Sequence, residues 1–243
     1  MQLTGTSDFG KFPLPSRRGD LEGKASKRSV MDFKRGDHIC ALYSATPELA
    51  REVADFLSEG LRSGQRCWYV GAGHEMASVR AALRTFGIDL AAETARGALK
   101  LMSGEGAYVV RGRFDAEVTL QVFNDAIEQA YTDGFTGFRA AAEMSWALEC
   151  EDGAHQVILY EALLKSLFAT CRAIGLYLYD RKRMPHAIIN GALATHPIAG
   201  ANGHYGVNPF YDPAVTGRAP LENADPLGRL EQLDRAVGGR RNL

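Results

Sequence analysis

Short apolar runs alternate with amphipathic helical stretches from about residue 32 to about residue 200, and this alternation restricts the fold more than any other feature of the chain. His38 to Tyr43, Arg66 to Val70, Leu99 to Met102, Phe135 to Ala142 and Ile174 to Tyr179 read as strands. Helix-period sequence lies between each pair. The first helical stretch opens on Thr46-Pro47-Glu48, with a cap residue, Pro at the first helical position and an acid in the first turn. It carries Leu49, Val53, Phe56, Leu57 and Leu61 at helical spacing and stops near Gly60 to Gly64. Glu75 to Phe86, Asp115 to Asp133 and Val157 to Cys171 supply the next three, and Ala187 to Thr195 reads as one more. In the long helix, Val118, Val122, Ile127 and Ala130 are expected to face inward. Strands joined through helices need crossover connections, so the sheet is expected to be mainly parallel and the class α/β.

The two ends read differently. Residues 1 to 30 are rich in Gly, Ser, Pro, Lys and Arg without apolar period, which predicts a disordered, mildly basic tail. Residues 31 to 212 form the expected domain. Residues 213 to 243 form a C-terminal extension, with one short helix suggested by Leu221, Leu227, Leu230, Leu233 and Val237.

Charge and cysteine usage exclude several classes of function. The chain has 243 residues, 46% of them hydrophobic, which supports a full core. Its formal net charge of −1 gives no basic field for direct nucleic-acid binding. The 4 cysteines are scattered without a CxxC pair, so a reduced, cytoplasmic setting is expected. No apolar run approaches the roughly 20 residues that span a bilayer, so no membrane partner is expected.

Residues 134–148 carry the densest chemistry. The strand-like run containing Arg139 delivers Glu143, Ser145 and Trp146 where it ends. In open α/β sheets ligands bind outside the carboxyl ends of the strands. Arg139, Glu143 and Trp146 are therefore expected at the centre of a pocket. The plainer reading is a structural Arg139–Glu143 ion pair with Trp146 in the core. Tyr179 and Asp180 reach the same edge. His38, Cys40, Tyr43 and His196 complete the expected rim. His38 and Cys40 share one strand face and could begin a metal site, yet no paired ligand spacing supports one, so no metal and no cofactor are expected.

Two glycine patterns mislead. Gly5 to Lys11 matches the glycines and lysine of a phosphate loop, but Phe12 stands where the magnesium-binding hydroxyl belongs, and no strand precedes it. Gly71-Ala-Gly73 lies in a strand-to-helix turn, but Met76 replaces the third glycine of a dinucleotide fingerprint. The first strand-to-helix turn, Ser44-Ala45-Thr46, has neither glycine nor lysine and cannot cradle a triphosphate in the usual way.

Taken together, several short motifs resemble one family. They are Gly36-Asp37-His38-Ile39-Cys40 through Tyr43, Gly60-Leu61 with Gly64, Tyr69-Val70, Tyr108, Gly137-Phe138-Arg139 with Glu143-Met144-Ser145-Trp146, Tyr160-Glu161, Tyr179-Asp180-Arg181, His196-Pro197, and Asn208-Pro209 with Tyr211. In order and spacing, over about residues 32 to 212, the chain resembles the MEDS domain, the methanogen/methylotroph sensory domain. The resemblance implies a RecA/KaiC-like three-layer fold with a mainly parallel sheet and no phosphate-binding loop. It also implies sensing of small organic molecules, including hydrocarbon derivatives, in signal transduction or transcriptional control. Relatives often have Cys where this chain has Tyr177. The expected partners are a small organic ligand and a signalling protein such as a histidine kinase or regulator. A homo-oligomer is compatible with this. Two alternatives remain: a ligand-free adaptor that works through its surface, and a nucleotide-dependent enzyme with an atypical loop.

Overall fold

The computed structural model describes residues 33–110, 113–150, 153–215, 228–229, 231–233 and 235. The expected N-terminal tail and most of the C-terminal extension lie outside the described residues. The chain runs through β1 (His38–Tyr43), α1 (Thr46–Arg62), β2 (Arg66–Gly71), α2 (Gly73–Thr85), α3 (Leu90–Ala95), β3 (Leu99–Ser103) and α4 (Gly104–Ala107). A small hairpin of β4 (Val109–Val110) and β5 (Arg113–Phe114) follows, then α5 (Ala116–Thr132), β6 (Phe138–Glu143) and a 3-10 turn (Ser145–Glu149). The last elements are α6 (Gly153–Phe168), β7 (Ala173–Asp180), α7 (His186–Thr195), β8 (Ile198–Ala201) and β9 (His204–Val207).

The main sheet has strand order β3-β2-β6-β7-β1-β8-β9. Every neighbouring pair is parallel except β8 with β9. Helices cover both faces, giving the three-layer α/β arrangement expected from the alternating runs. Helices α1, α2 and α3 cover one face over a core that includes Ile39, Phe56, Leu57, Leu176 and Leu178. Helices α5, α6 and α7 cover the other over Phe138, Leu164, Phe168 and Tyr177. Because side chains alternate along a strand, β1 sends Cys40 and Leu42 to the second core and Ile39, Ala41 and Tyr43 to the first. Full burial on both faces explains why the central strands are continuously apolar. Among the described residues, no helix is long and apolar enough to cross a membrane.

Local chemistry fixes the boundaries. Helix α1 starts at Thr46, one residue before the sequence signal placed it, with Ala45 at the cap and the Ser44 amide donating to Glu48 Oε2 at 2.8 Å. The acid expected in the first turn therefore satisfies the chain just before the helix. Helix α5 is capped by Asp115, whose Oδ1 accepts from the Val118 amide at 3.0 Å. Its inward face differs from the one expected. Ile127 and Ala130 are buried together with Phe123 and Ala126, but Val118 is 60% exposed and Val122 55% exposed. Strand β6 also begins later than expected. Thr136 is bonded to the turn after α1 through its amide to the Gly64 carbonyl and its hydroxyl to the Ser63 carbonyl. The ladder therefore starts at Phe138, opposite Arg66.

Connections leaving β2 and β6 diverge, the first entering α2 on one face and the second reaching α6 on the other. The two strands are neighbours, so a crevice opens between their carboxyl ends. This is the topological position at which open α/β sheets bind ligands. At the far side of the domain Leu233, from a helical stretch in the C-terminal extension, is fully buried in the α5–α7 core. Arg229 sits over the Phe210 ring at 5.4 Å and reaches Asn190 Oδ1 at 3.4 Å. The extension thus packs against the domain at these residues.

Candidate functional site

The crevice is a cleft of about 380 Å³ lined by Gly71, Ala72, Gly73, His74, Ser103, Gly104, Glu143, Ser145, Trp146, Glu149 and Arg183. Its floor is set by Glu143, the last residue of β6. Glu143 Oε1 accepts from the Tyr43 hydroxyl at 2.9 Å and from the Ser145 amide at 2.9 Å, and Oε2 accepts from Ser145 Oγ at 2.6 Å. Burial pushes its carboxyl pKa up, and these hydrogen bonds oppose the shift. Tyr43 also faces Glu75 Oε1 at 3.3 Å, so one phenol stands between two buried carboxyl groups and can donate to only one at a time. Burial first, and the neighbouring Glu143 second, raise Glu75 to about 7. Glu75 therefore keeps its proton up to near neutrality beside Glu143.

Several buried polar atoms around this floor lack hydrogen-bond partners among the described residues: Glu75 Oε2, the Tyr69 hydroxyl and Trp146 Nε1. Gly71 is required for the arrangement, because a Cβ there would lie 2.1 Å from the Tyr69 hydroxyl. Gly73 is the opposite case. It opens α2, its Cβ would meet nothing within 4 Å, and no side chain caps that helix start. The Gly73 and His74 amides are therefore left as donors beside the cleft, while the Glu75 amide donates to the Ala72 carbonyl at 3.1 Å. The Trp146 ring stacks on Tyr108, centroids 4.9 Å apart, and lies 4.3 Å from the Phe114 ring. Tyr108 in turn lines a second pocket of about 280 Å³, with Trp68, Val70, Met102, Phe123 and Tyr160. The stacked pair contributes one ring to each cavity.

The structure divides the nine residues expected at the site. Glu143, Trp146 and Tyr43 meet at the cleft. Asp180 is at the same edge, paired in register with Tyr43, but its Oδ1 is used locally, accepting from the Lys182 amide at 2.8 Å. Arg139 is not at the cleft and does not pair with Glu143. With β6 starting at Phe138, it sits at the amino end, four residues or about 13 Å from Glu143. There its guanidinium donates to Gln65 Oε1 and to the Phe56 carbonyl, both at 2.9 Å, and covers the Phe56 ring at 4.7 Å. Cys40 is buried between Tyr177 and Ala199, and burial pushes its thiol pKa up.

The remaining three, His38, His196 and Tyr179, gather elsewhere, against α6. His38 Nε2 lies 3.0 Å from Glu161 Oε2, and His196 Nε2 lies 3.3 Å from the same oxygen. The Tyr179 hydroxyl donates to Glu161 Oε1 at 2.5 Å. The two imidazole rings are 3.8 Å apart by centroid. Burial lowers both histidines to about 3 and raises Glu161. Among the described residues, His38, Glu161 and His196 are the group whose ligand atoms could hold a metal ion, all within 4.8 Å of one another. Cys40 is not part of it, so the strand pair His38 and Cys40 does not supply a joint site.

Sequence reading missed Arg183 at the cleft, Glu75 and Tyr69 behind its floor, and Glu161 at the histidines. A signal for Glu161 was present. It shares a heptad-spaced stripe with Val157, Leu164 and Phe168, so an acid stands on an apolar helix face. For Glu75 the sequence gives only a position in the first turn of a helix.

Comparison with curated proteins gives no match. Residues 37–197, about two thirds of the chain, match the model of the methanogen/methylotroph, DcmR sensory domain, abbreviated MEDS. Both the cleft floor and the histidine cluster fall within that span, and the chain belongs to the MEDS family of sensory domains.

Proposed function

We propose that the protein senses a small polar organic molecule in the cleft between β2 and β6 and passes the response to a signalling partner such as a histidine kinase or regulator. One observation carries this reading. Trp146 lines the cleft, and Glu75 and Tyr69 lie behind its floor against Tyr43 and Gly71; among the described residues Trp146 Nε1, Glu75 Oε2 and the Tyr69 hydroxyl are buried without partners, next to helix amides that no side chain caps. Leaving such groups unpaired costs about 1–3 kcal/mol each, and a ligand bearing both a donor and an acceptor relieves that cost. An alcohol or carboxylic acid of a few carbons fits this requirement. Its polar head would meet the α2 amides and Glu75, and its carbon end the Trp146 face.

Gly73 offers a test that spares the fold. Its φ is not positive and a side chain there meets nothing within 4 Å. Gly73→Leu should therefore keep the domain folded while filling the cleft. Native mass spectrometry of the protein purified from its own host should show a bound small molecule in the wild type and none in the variant. Retention of the same mass by a folded Gly73→Leu protein would move the ligand elsewhere. Absence of any bound mass in the wild type, together with no thermal shift across C1–C4 alcohols and carboxylic acids, would favour the ligand-free adaptor.

A second reading places an apolar ligand in the neighbouring pocket. Its lining by Trp68, Met102, Tyr108 and Phe123, beside exposed Val122, suits a hydrocarbon derivative. The nucleotide-enzyme alternative predicts saturable magnesium–ATP binding, whereas the glycine-free Ser44-Ala45-Thr46 turn supports none.

A further inference from the structure

The histidine cluster lies on the opposite face of the sheet from Tyr43 and Glu75, and nothing in the sensory reading uses it. His196 Nδ1 is 2.7 Å from the Ala192 carbonyl oxygen, which accepts a hydrogen bond only if that nitrogen carries the proton. In a neutral ring the proton on Nδ1 leaves a lone pair on Nε2. That lone pair faces Glu161 Oε2, another acceptor, at 3.3 Å, and Nε2 has no hydrogen-bond partner. His38 presents Nε2 to the same oxygen at 3.0 Å. With the His38 proton on Nδ1, toward the Thr195 backbone, three acceptor atoms converge in a place where His38 is 2% exposed and both His196 and Glu161 are 0% exposed. In that arrangement a cation between them satisfies all three. A single proton on Glu161 Oε2 can be donated to only one of the two imidazole nitrogens at a time.

We propose that His38, His196 and Glu161 form a binding site for a divalent transition-metal ion, with Tyr179 fixing the carboxylate. Two imidazoles and one carboxylate are a donor set suited to zinc and its first-row neighbours. Donors about 2.0–2.1 Å from a tetrahedral zinc stand about 3.3 Å apart, and the observed separations to Glu161 Oε2 are 3.0 and 3.3 Å. The surrounding shell has the form expected of metal ligands. His196 gives its second nitrogen to a backbone carbonyl, and the free carboxylate oxygen is held by Tyr179 at 2.5 Å. The Thr195 backbone, close to His38 but poorly aligned, offers the corresponding acceptor for Nδ1. Phe168 stacks on the His38 ring at 4.9 Å, and Gly175 leaves room for it, since a Cβ there would lie 2.4 Å from Phe168. An entry route exists. A groove of about 280 Å³ reaches His38 past Gly36, Lys165, Phe168, Pro197 and Tyr211. The Lys165 ammonium at this mouth is engaged by the Pro213 and Val215 carbonyls, each at 2.8 Å.

The proposal is independent of what binds the cleft. Full-length protein stripped with a chelator and titrated with zinc chloride should take up one equivalent. Its thermal midpoint should rise by about 5–10 °C at a hundredfold excess over the dissociation constant. Cobalt(II) should give the visible bands of a four-coordinate nitrogen and oxygen site. Glu161→Gln, which keeps the shape and the acceptor for Tyr179, and His196→Asn should each abolish uptake and shift. His155→Asn, at an exposed histidine away from both sites, should abolish neither. The cobalt spectrum and zinc shift of the unsubstituted protein decide the matter if a variant fails to fold. No uptake with no thermal shift would overturn the proposal, as would undiminished uptake in Glu161→Gln.

Discussion

Replacing Glu143 with Gln separates a cleft carboxylate from a buried ion pair. Glu143 accepts three hydrogen bonds, from the Tyr43 hydroxyl, the Ser145 amide and the Ser145 hydroxyl. A glutamine oxygen in the Oε1 position keeps the first two. Its amide nitrogen then faces Ser145 Oγ, and the hydroxyl can turn to accept. Each retained bond changes from charge-assisted to neutral, a loss of about 1 kcal/mol apiece. Against this, burial disfavours the charged carboxylate, as its raised pKa records, and the amide removes that charge. The two effects nearly offset, so Glu143→Gln should cost about 1 kcal/mol or less. It strands no arginine, because Arg139 is bonded to Gln65 and Phe56 at the other end of β6. Glu143→Ala is different. It leaves the Ser145 amide and hydroxyl without acceptors and Tyr43 with only the longer contact to Glu75, which should cost about 2–4 kcal/mol. Urea denaturation of both variants measures these values. A double-mutant cycle with Arg139→Gln should show coupling under about 0.5 kcal/mol, as expected for sites more than about 10 Å apart. A loss above about 3 kcal/mol for Glu143→Gln, or strong coupling to Arg139, would refute the reasoning.

Two further outcomes follow from the same geometry. Glu75 is raised from 4.5 to about 7 in the fold, so between those values the folded protein holds a proton that the unfolded chain has released, and stability falls as pH rises through that window. The groups facing Glu75 are Glu143, Tyr43, Asp180, Arg183 and His74. The stability of Glu75→Gln relative to wild type should therefore climb by about 1–2 kcal/mol from pH 4.5 to 7, and a pH-independent difference measured by denaturation would contradict the assignment. Leu233→Ala should cost about 2–4 kcal/mol by the same assay, because Leu233 is fully buried in the α5–α7 core; a loss under about 0.5 kcal/mol would show that the extension does not pack there.

The parts of this fold that were legible in sequence were those set by local patterning. β1 and β7 are buried on both faces, so His38 to Tyr43 and Ile174 to Tyr179 stand out as continuous apolar runs. Ile198–Ala201 and His204–Val207 escaped because small residues and glycines give little β signal. Their real mark is Asn202-Gly203, both at positive φ, the pair that a two-residue hairpin turn demands. The site was half legible. Glu143 and Trp146 follow from the strand-end rule, but Arg139 was misplaced because Phe135 extended the apparent strand by three residues. No local pattern could bring Glu161 to His38, 123 positions away, since only the packing of α6 on β1 creates that contact.

The central claim, that the polar cleft is the sensory site, can be read from the two tryptophans of the chain. Trp146 lines the cleft and Trp68 lines the apolar pocket. In a nitrogen-15 spectrum each gives one indole signal, assignable with Trp68→Phe and Trp146→Phe. The probes are C1–C4 alcohols and carboxylic acids, titrated one at a time. The account predicts a saturable shift of the Trp146 signal for at least one probe, lost in Gly73→Leu, with Trp68 unmoved. A shift confined to Trp68 would place recognition in the apolar pocket, and a Trp146 shift that persists in Gly73→Leu would contradict binding in the cleft.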